Sequence, residues 1–124
     1  MSKRPLISVV DDDESVRESL PDLLREFGFD AHAFSSANAF LDSGLVEQSD
    51  CVLLDVAMPG RTGPELQQEL ALRRPELPVI FITAQRDEMV RSRLLARGAV
   101  ECLFKPFGEL ELLKALQTAL GVSK

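Results

Sequence analysis

Basic residues are the minority in this chain: 14 Lys and Arg stand against 20 Asp and Glu, for a net charge of −6. Neutralising a phosphate backbone needs clustered cations, so no direct nucleic-acid binding is expected from these residues. No apolar run approaches the ~18 residues of a membrane span, and the basic pair Lys3 and Arg4 leads into no signal-peptide apolar core. A cytoplasmic location without membrane contact is therefore expected. Histidine occurs once, as His32, with no second histidine to share a metal, and it lies in an alternating stretch that reads as a strand with His32 facing outward. The two cysteines, Cys51 and Cys102, lack CxxC spacing and sit inside apolar runs, so they read as reduced core residues. There is no interior linker rich in Pro, Gly or Ser, no repeat and no low-complexity segment. The 124 residues are accordingly read as one domain, 1–124, long enough to bury a core.

What the chain does have is periodicity. Five short apolar runs, at residues 6–10, 29–34, 51–54, 79–82 and 100–104, read as strands. Between them the pattern turns helical. The first helix carries Val16, Leu20, Leu24 and Phe27 on one face, and Pro21, whose ring costs ~3 kcal/mol inside a helix, is expected to kink it. A second helix is expected at 37–42 behind Ser36 as N-cap, and a third at 64–73 with Leu66, Leu70 and Leu72 inward. A fourth is expected at 87–97 before Gly98, and a fifth at 109–120 before Gly121, with Leu110, Leu113, Leu116 and Leu120 as its apolar stripe. Strict strand–helix alternation predicts a (βα)5 doubly wound parallel sheet with helices on both faces.

In such a sheet ligands bind beyond the carboxyl ends of the strands. The polar residues gather there: Asp11, Asp12 and Asp13 after the first run, Asp55 after the third, Thr83 after the fourth, Lys105 and Pro106 after the fifth. Carboxylates brought within a few ångström of each other repel strongly, so the cluster calls for a cation. Oxygen donors without histidine or cysteine select a hard ion, Mg²⁺, with Mn²⁺ able to substitute. A metal beside a carboxylate and a lysine suits phosphoryl transfer to an aspartate nucleophile, with Thr83 donating to one phosphoryl oxygen and Lys105 neutralising another. Each residue alone has a plainer reading as a cap, a turn residue or a solvated charge. Their convergence at one end of the sheet does not.

The segments Val9-Val10-Asp11-Asp12-Asp13, Leu53-Leu54-Asp55-Val56-Ala57-Met58-Pro59-Gly60, Thr62-Gly63, Ile82-Thr83-Ala84 and Lys105-Pro106-Phe107 follow in that order. Together they resemble the receiver domains of bacterial response regulators, over essentially the whole length. That resemblance implies a flavodoxin-like fold with strand order 2-1-3-4-5. It implies phosphorylation of Asp55 by a sensor histidine kinase, with Mg²⁺ held by Asp12 and Asp55, by Asp11 through water and by the backbone carbonyl of Ala57. Thr83 and Ala84 would frame the phosphoryl group and Lys105 would contact it. Asp13 stays outside the site, opening the first helix, and the bond before Pro106 would be cis. The only chemistry implied is the domain's own phosphoryl transfer and dephosphorylation. Phosphorylation would switch the face of the fourth helix, fifth strand and fifth helix toward an effector domain or protein with transcriptional output, or toward a second copy in a homodimer.

Two features depart from the family or vary within it. Cys102 stands where many receivers carry Tyr or Phe, so the signal is expected to pass mainly through Thr83 and the loop after it, with Phe104 sharing the face of Cys102. Gln85, two residues after Thr83, occupies a position thought to tune phosphoryl lifetime. Competing readings are a haloacid-dehalogenase-like phosphohydrolase and a degenerate receiver that only binds partners. The first lacks its DxD, since Asp55-Val56-Ala57 has no second Asp, and has no segment long enough for a cap; the second is opposed by the intact acidic set.

Overall fold

The computed structural model describes residues 4–121. Five strands, β1 (Leu6–Val10), β2 (Asp30–Phe34), β3 (Cys51–Asp55), β4 (Val79–Thr83) and β5 (Glu101–Phe104), alternate with five helices. The helices are α1 (Glu14–Glu26), α2 (Ala37–Asp42), α3 (Gly63–Arg73), α4 (Glu88–Ala96) and α5 (Glu109–Leu120). All strand pairs are parallel, in the order β2-β1-β3-β4-β5. The fold expected from the sequence is the one observed.

Strands buried on both faces need apolar side chains at every position, which is why β3 and β4 read as unbroken runs rather than alternating ones. Every residue of both is buried. Val52, Leu54, Val79, Phe81 and Cys102 pack on one side with Leu66, Leu70 and Leu94. Cys51, Leu53, Ile80, Ile82 and Leu103 pack on the other with Leu20, Leu24, Leu112 and Leu116. Full burial of one such side chain stabilises by roughly 1.5–3 kcal/mol, so the two layers anchor the strand ends that carry the polar residues.

The strand boundaries shift in a way that matters for function. β3 and β4 each run one residue past their apolar runs, so Asp55 and Thr83 are the last residues of their strands, at the strand ends where the sequence places them. The Val56 amide donates to the Ile82 carbonyl at 3.1 Å, carrying the ladder past Asp55. β2 and β5 each start one residue late, at Asp30 and Glu101.

Two helix faces need correcting. Leu72 is 86% exposed and Leu110 is 73% exposed, so neither faces inward. The inward residues of α3 are Leu66, Gln67 and Leu70, and those of α5 are Leu112, Ala115 and Leu116, with Leu113 and Leu120 half-buried. At 3.6 residues per turn, a residue two positions from a buried one lies about 200° around the helix, which puts Leu72 opposite Leu70 and Leu110 opposite Leu112. α1 starts ahead of Pro21 and runs as one helix through it, with Leu20, Pro21 and Leu24 buried. His32 is exposed, as expected of an outward strand residue. Cys51 and Cys102 are buried free thiols. Burial pushes the Cys51 thiol up to about 12, which leaves it protonated and inert at neutral pH. Among the described residues no helix is long and apolar enough to cross a membrane.

Candidate functional site

β1 delivers Asp11 into the crevice at the strand ends, wholly buried. Its amide donates to the Phe34 carbonyl at 3.1 Å, which continues the β1–β2 ladder. Its carboxylate is bonded on both oxygens: Oδ1 accepts from the Asp13 amide at 2.9 Å and Oδ2 from Lys105 Nζ at 2.9 Å. Asp12 is exposed at the rim. Asp55, at the end of the neighbouring strand, is buried. Oxygen atoms of Asp11, Asp12 and Asp55 lie within 4.8 Å of one another, and Lys105 Nζ is 4.0 Å from Asp55 Oδ1. Lys105 follows β5 and is fixed there by its amide, which donates to the Thr83 carbonyl at 2.8 Å. The peptide bond from Lys105 to Pro106 is cis, as the resemblance implied.

The electrostatics follow from this crowding. Burial, joined by the negative charges of Asp11 and Asp12, pushes the Asp55 carboxyl up to about 7, with Lys105 pulling the other way. The site is thus a set of acidic oxygens with one ammonium, too little cation for three carboxylates. A hard divalent ion would supply the missing charge, and the donor set of carboxylate oxygens with no nitrogen or sulfur fits Mg²⁺.

A pH dependence follows. An acid whose pKa is raised by folding takes up a proton more readily in the folded than in the unfolded protein. The metal-free fold therefore gains from Asp55 at low pH, and that gain disappears as pH rises from about 4, the unfolded range, to about 7, the folded one. With EDTA present, the stability of wild type relative to Asp55→Asn should fall across that window and level off above it. Chemical denaturation at a series of pH values checks this, and a difference that rises with pH would contradict the burial argument.

The remaining expected residues lie at the same end of the sheet. Thr83 is buried, and its Oγ1 accepts from the Gln85 amide at 3.1 Å, so the hydroxyl proton is left for another acceptor. Ala84 follows at the exposed start of the β4–α4 loop, and Ala57 is exposed two residues beyond Asp55, where only its main chain offers a ligand. Asp13 is the N-cap of α1 and sits outside the cluster. Hydrogen bonds from Ser15 hold its carboxyl below the usual range. Cys102 and Phe104 pack toward the same layer, as their spacing predicts.

Three contributors have roles that the sequence does not reveal. Gly63 opens α3 so close to β3 that a Cβ there would overlap the Asp55 carbonyl oxygen. The Thr62-Gly63 pair was visible, but not its reason. Arg91 reaches from α4 to β5, with Nε donating to the Cys102 carbonyl at 3.2 Å and Nη2 to Glu101 at 2.8 Å. Arg17 Nη1 donates to the Asp11 carbonyl at 3.1 Å. Nothing in local periodicity reveals either arginine contact, because both bridge separate elements.

Comparison with known proteins agrees with the fold. The family model described as response regulator receiver domain matches residues 7–117. Among curated relatives, nodulation protein W of Bradyrhizobium diazoefficiens is 41% identical over 95% of this chain and 52% of its own length. The transcriptional regulatory protein TdiR of Thauera aromatica is 39% identical over 95% of this chain and 52% of its own. This chain therefore spans about half the length of the curated relatives it matches. Among solved structures, a response regulator receiver protein from Burkholderia phymatum superimposes with a TM-score of 0.85 at 41% identity, covering 97% of this chain and 98% of that one.

Proposed function

The chain belongs to the response regulator receiver family, and from that premise we propose that residues 1–124 act as a phospho-acceptor switch in which Asp55 takes a phosphoryl group from the phosphohistidine of a sensor kinase. The observation that carries this reading is the meeting of Asp11, Asp12 and Asp55 within 4.8 Å, with the Lys105 ammonium between Asp11 and Asp55.

In the proposed reaction an Asp55 carboxylate oxygen attacks phosphorus, a P–O bond forms, and the P–N bond to the donor imidazole breaks in line. Bound Mg²⁺ would neutralise phosphoryl oxygens, which lets Asp55 react as the anion despite its raised pKa. Asp12 and Asp55 would hold the ion directly, Asp11 through water and Ala57 through its main-chain carbonyl. The Thr83 hydroxyl would donate to one phosphoryl oxygen, the Ala84 main chain would border the group, and Lys105 would shift its ammonium from Asp11 toward another phosphoryl oxygen. Hydrolysis of the acyl phosphate resets the switch, and the domain turns over no other substrate.

Drawing Thr83 toward the phosphoryl group would pull on the Gln85 amide that its Oγ1 accepts from, and so on the whole β4–α4 loop. Arg86, in that loop, stacks its guanidinium 5.7 Å from the centre of the Phe104 ring. Because Cys102 is too small for an aromatic swing, the reading routes the signal through this loop to the surface of α4, β5 and α5. That surface would engage an effector domain or protein of transcriptional output, or a second copy. This chain matches 52% and 56% of the length of two curated relatives described as transcriptional regulators, which is consistent with an output region beyond the receiver in those proteins.

Addition of Mg²⁺ with beryllofluoride, a phosphoryl mimic, tests the reading. The expected result is a set of amide NMR shifts at Asp55, Thr83 and Lys105 that extends along α4 and β5, with the same extent in Cys102→Ala. Sedimentation of the same samples should show the dimer if the partner is a second copy. An absence of shifts at Asp55 would sink the phospho-acceptor reading, and turnover of phosphomonoesters would favour a phosphohydrolase instead.

A further inference from the structure

We propose that Arg17 is a positioning residue for the metal site, one that sets the peptide between Asp11 and Asp12 so that both carboxylates face Asp55. The proposal rests on the reading of Asp11 and Asp12 as Mg²⁺ ligands. Three consecutive aspartates leave β1 here and go three ways: Asp11 is buried, Asp12 lies at the exposed rim of the cluster, and Asp13 turns away to cap α1. Such a divergence over three residues depends on how the intervening peptide planes are held. The Asp11 amide is held by Phe34, and the Asp11 carboxylate by the Asp13 amide and Lys105. None of these bonds fixes the peptide plane that leads into Asp12. The bond from Arg17 Nη1 to the Asp11 carbonyl, at 3.1 Å, does.

The choice of partner by Arg17 supports a dedicated role. It stands on α1 one turn from Asp13 and Glu14, either of which is at the spacing of an ordinary helical ion pair. Among the described residues no carboxylate lies within ion-pair distance of Arg17, and the guanidinium is spent on a main-chain oxygen six residues back. The planar guanidinium suits this task, because its donors are fixed in direction as well as charge.

Charge and geometry predict opposite signs for the loss of this side chain. Acting only through space, the Arg17 charge repels a divalent cation from the three-carboxylate cluster, so its removal would tighten Mg²⁺ binding. Acting as a positioning residue, its removal lets the Asp11–Asp12 peptide rotate and weakens binding. Mg²⁺ titrations followed by the amide shifts of Asp12 and Asp55 distinguish the two. For Arg17→Met we expect Mg²⁺ affinity to fall about fivefold, the scale of one charge-assisted hydrogen bond in a half-exposed setting. The EDTA melting temperature should stay within about 2 °C of wild type, the shift expected of a few tenths of a kcal/mol in a domain of this size. Arg17→Lys, which keeps the charge and one donor, should recover part of the affinity. Mg²⁺ affinity in Arg17→Met equal to or tighter than wild type overturns the proposal, as does a lowered melting temperature with affinity unchanged. Failure of wild type itself to bind Mg²⁺ would remove the metal-site reading, and the proposal with it.

Discussion

Asp55→Asn is expected to lower labelling by acetyl phosphate in the presence of Mg²⁺ at least about a hundredfold, because an amide oxygen is a far weaker nucleophile than a carboxylate. The substitution keeps the shape of a side chain that is almost fully buried, so lost labelling would report chemistry and not collapse of the site. It also removes one of the charges crowded within 4.8 Å. In EDTA at neutral pH the variant should therefore be as stable as wild type or more so, the reverse of what a disruptive core substitution does. Asp12 is the exposed carboxylate of the cluster, and labelling that moved there would appear as a residual mass shift abolished in the double variant. Intact-mass measurement after a fixed exposure checks the result. A variant that retained more than about a tenth of wild-type labelling would show that Asp55 is not the acceptor.

The parts of this site that could be read from the sequence are those set by strand ends. Asp11, Asp55, Thr83 and Lys105 each follow an apolar run, and in a parallel sheet with both faces covered such runs have one interpretation, so their carboxyl ends meet. Helix faces were less legible. In α5, leucines fall at 110, 112, 113, 116 and 120, dense enough to support two stripes, and only packing against Leu103 and Ile82 selects the one through Leu112 and Leu116. In α3 the proximity of Leu70 and Leu72 had the same effect. Contacts that span elements were not legible at all. Arg17 to Asp11 and Arg91 to Cys102 depend on helix rotation and on side-chain reach, and an arginine on an exposed face looks the same in sequence whether it bonds a backbone carbonyl or water.

The clearest case of a visible residue with an invisible reason is Gly63, and it supports the second large prediction. Its φ is not among the positive values found at five other glycines, so backbone conformation does not demand a glycine there. Contact does. A Cβ would overlap the Asp55 carbonyl oxygen and sit 3.0 Å from Val56 Cα and 3.1 Å from the Asp55 carbonyl carbon, all main-chain atoms of the strand that presents the acceptor. The Gly63 amide donates to the Val56 carbonyl at 3.0 Å, and the Thr62–Glu65 capping box fixes the start of α3, so neither side can yield as a flexible side chain would. In an ordinary helix position Ala is preferred to Gly by up to about 1 kcal/mol. Overpacking a rigid contact costs about 1–3 kcal/mol and here should prevail, so Gly63→Ala is expected to lose about 2 kcal/mol of stability. Because the displaced atoms carry Asp55, Mg²⁺ affinity and acetyl phosphate labelling should fall as well, in protein that is still folded. Gly108→Ala provides the contrast: a Cβ there meets nothing within 4 Å, and the change should stay within about 1 kcal/mol, the range of a helix-cap preference. Urea denaturation of both variants decides the matter. If Gly63→Ala proves as stable as wild type, with Mg²⁺ binding intact, then the approach of α3 to the end of β3 is not what holds Asp55 in place.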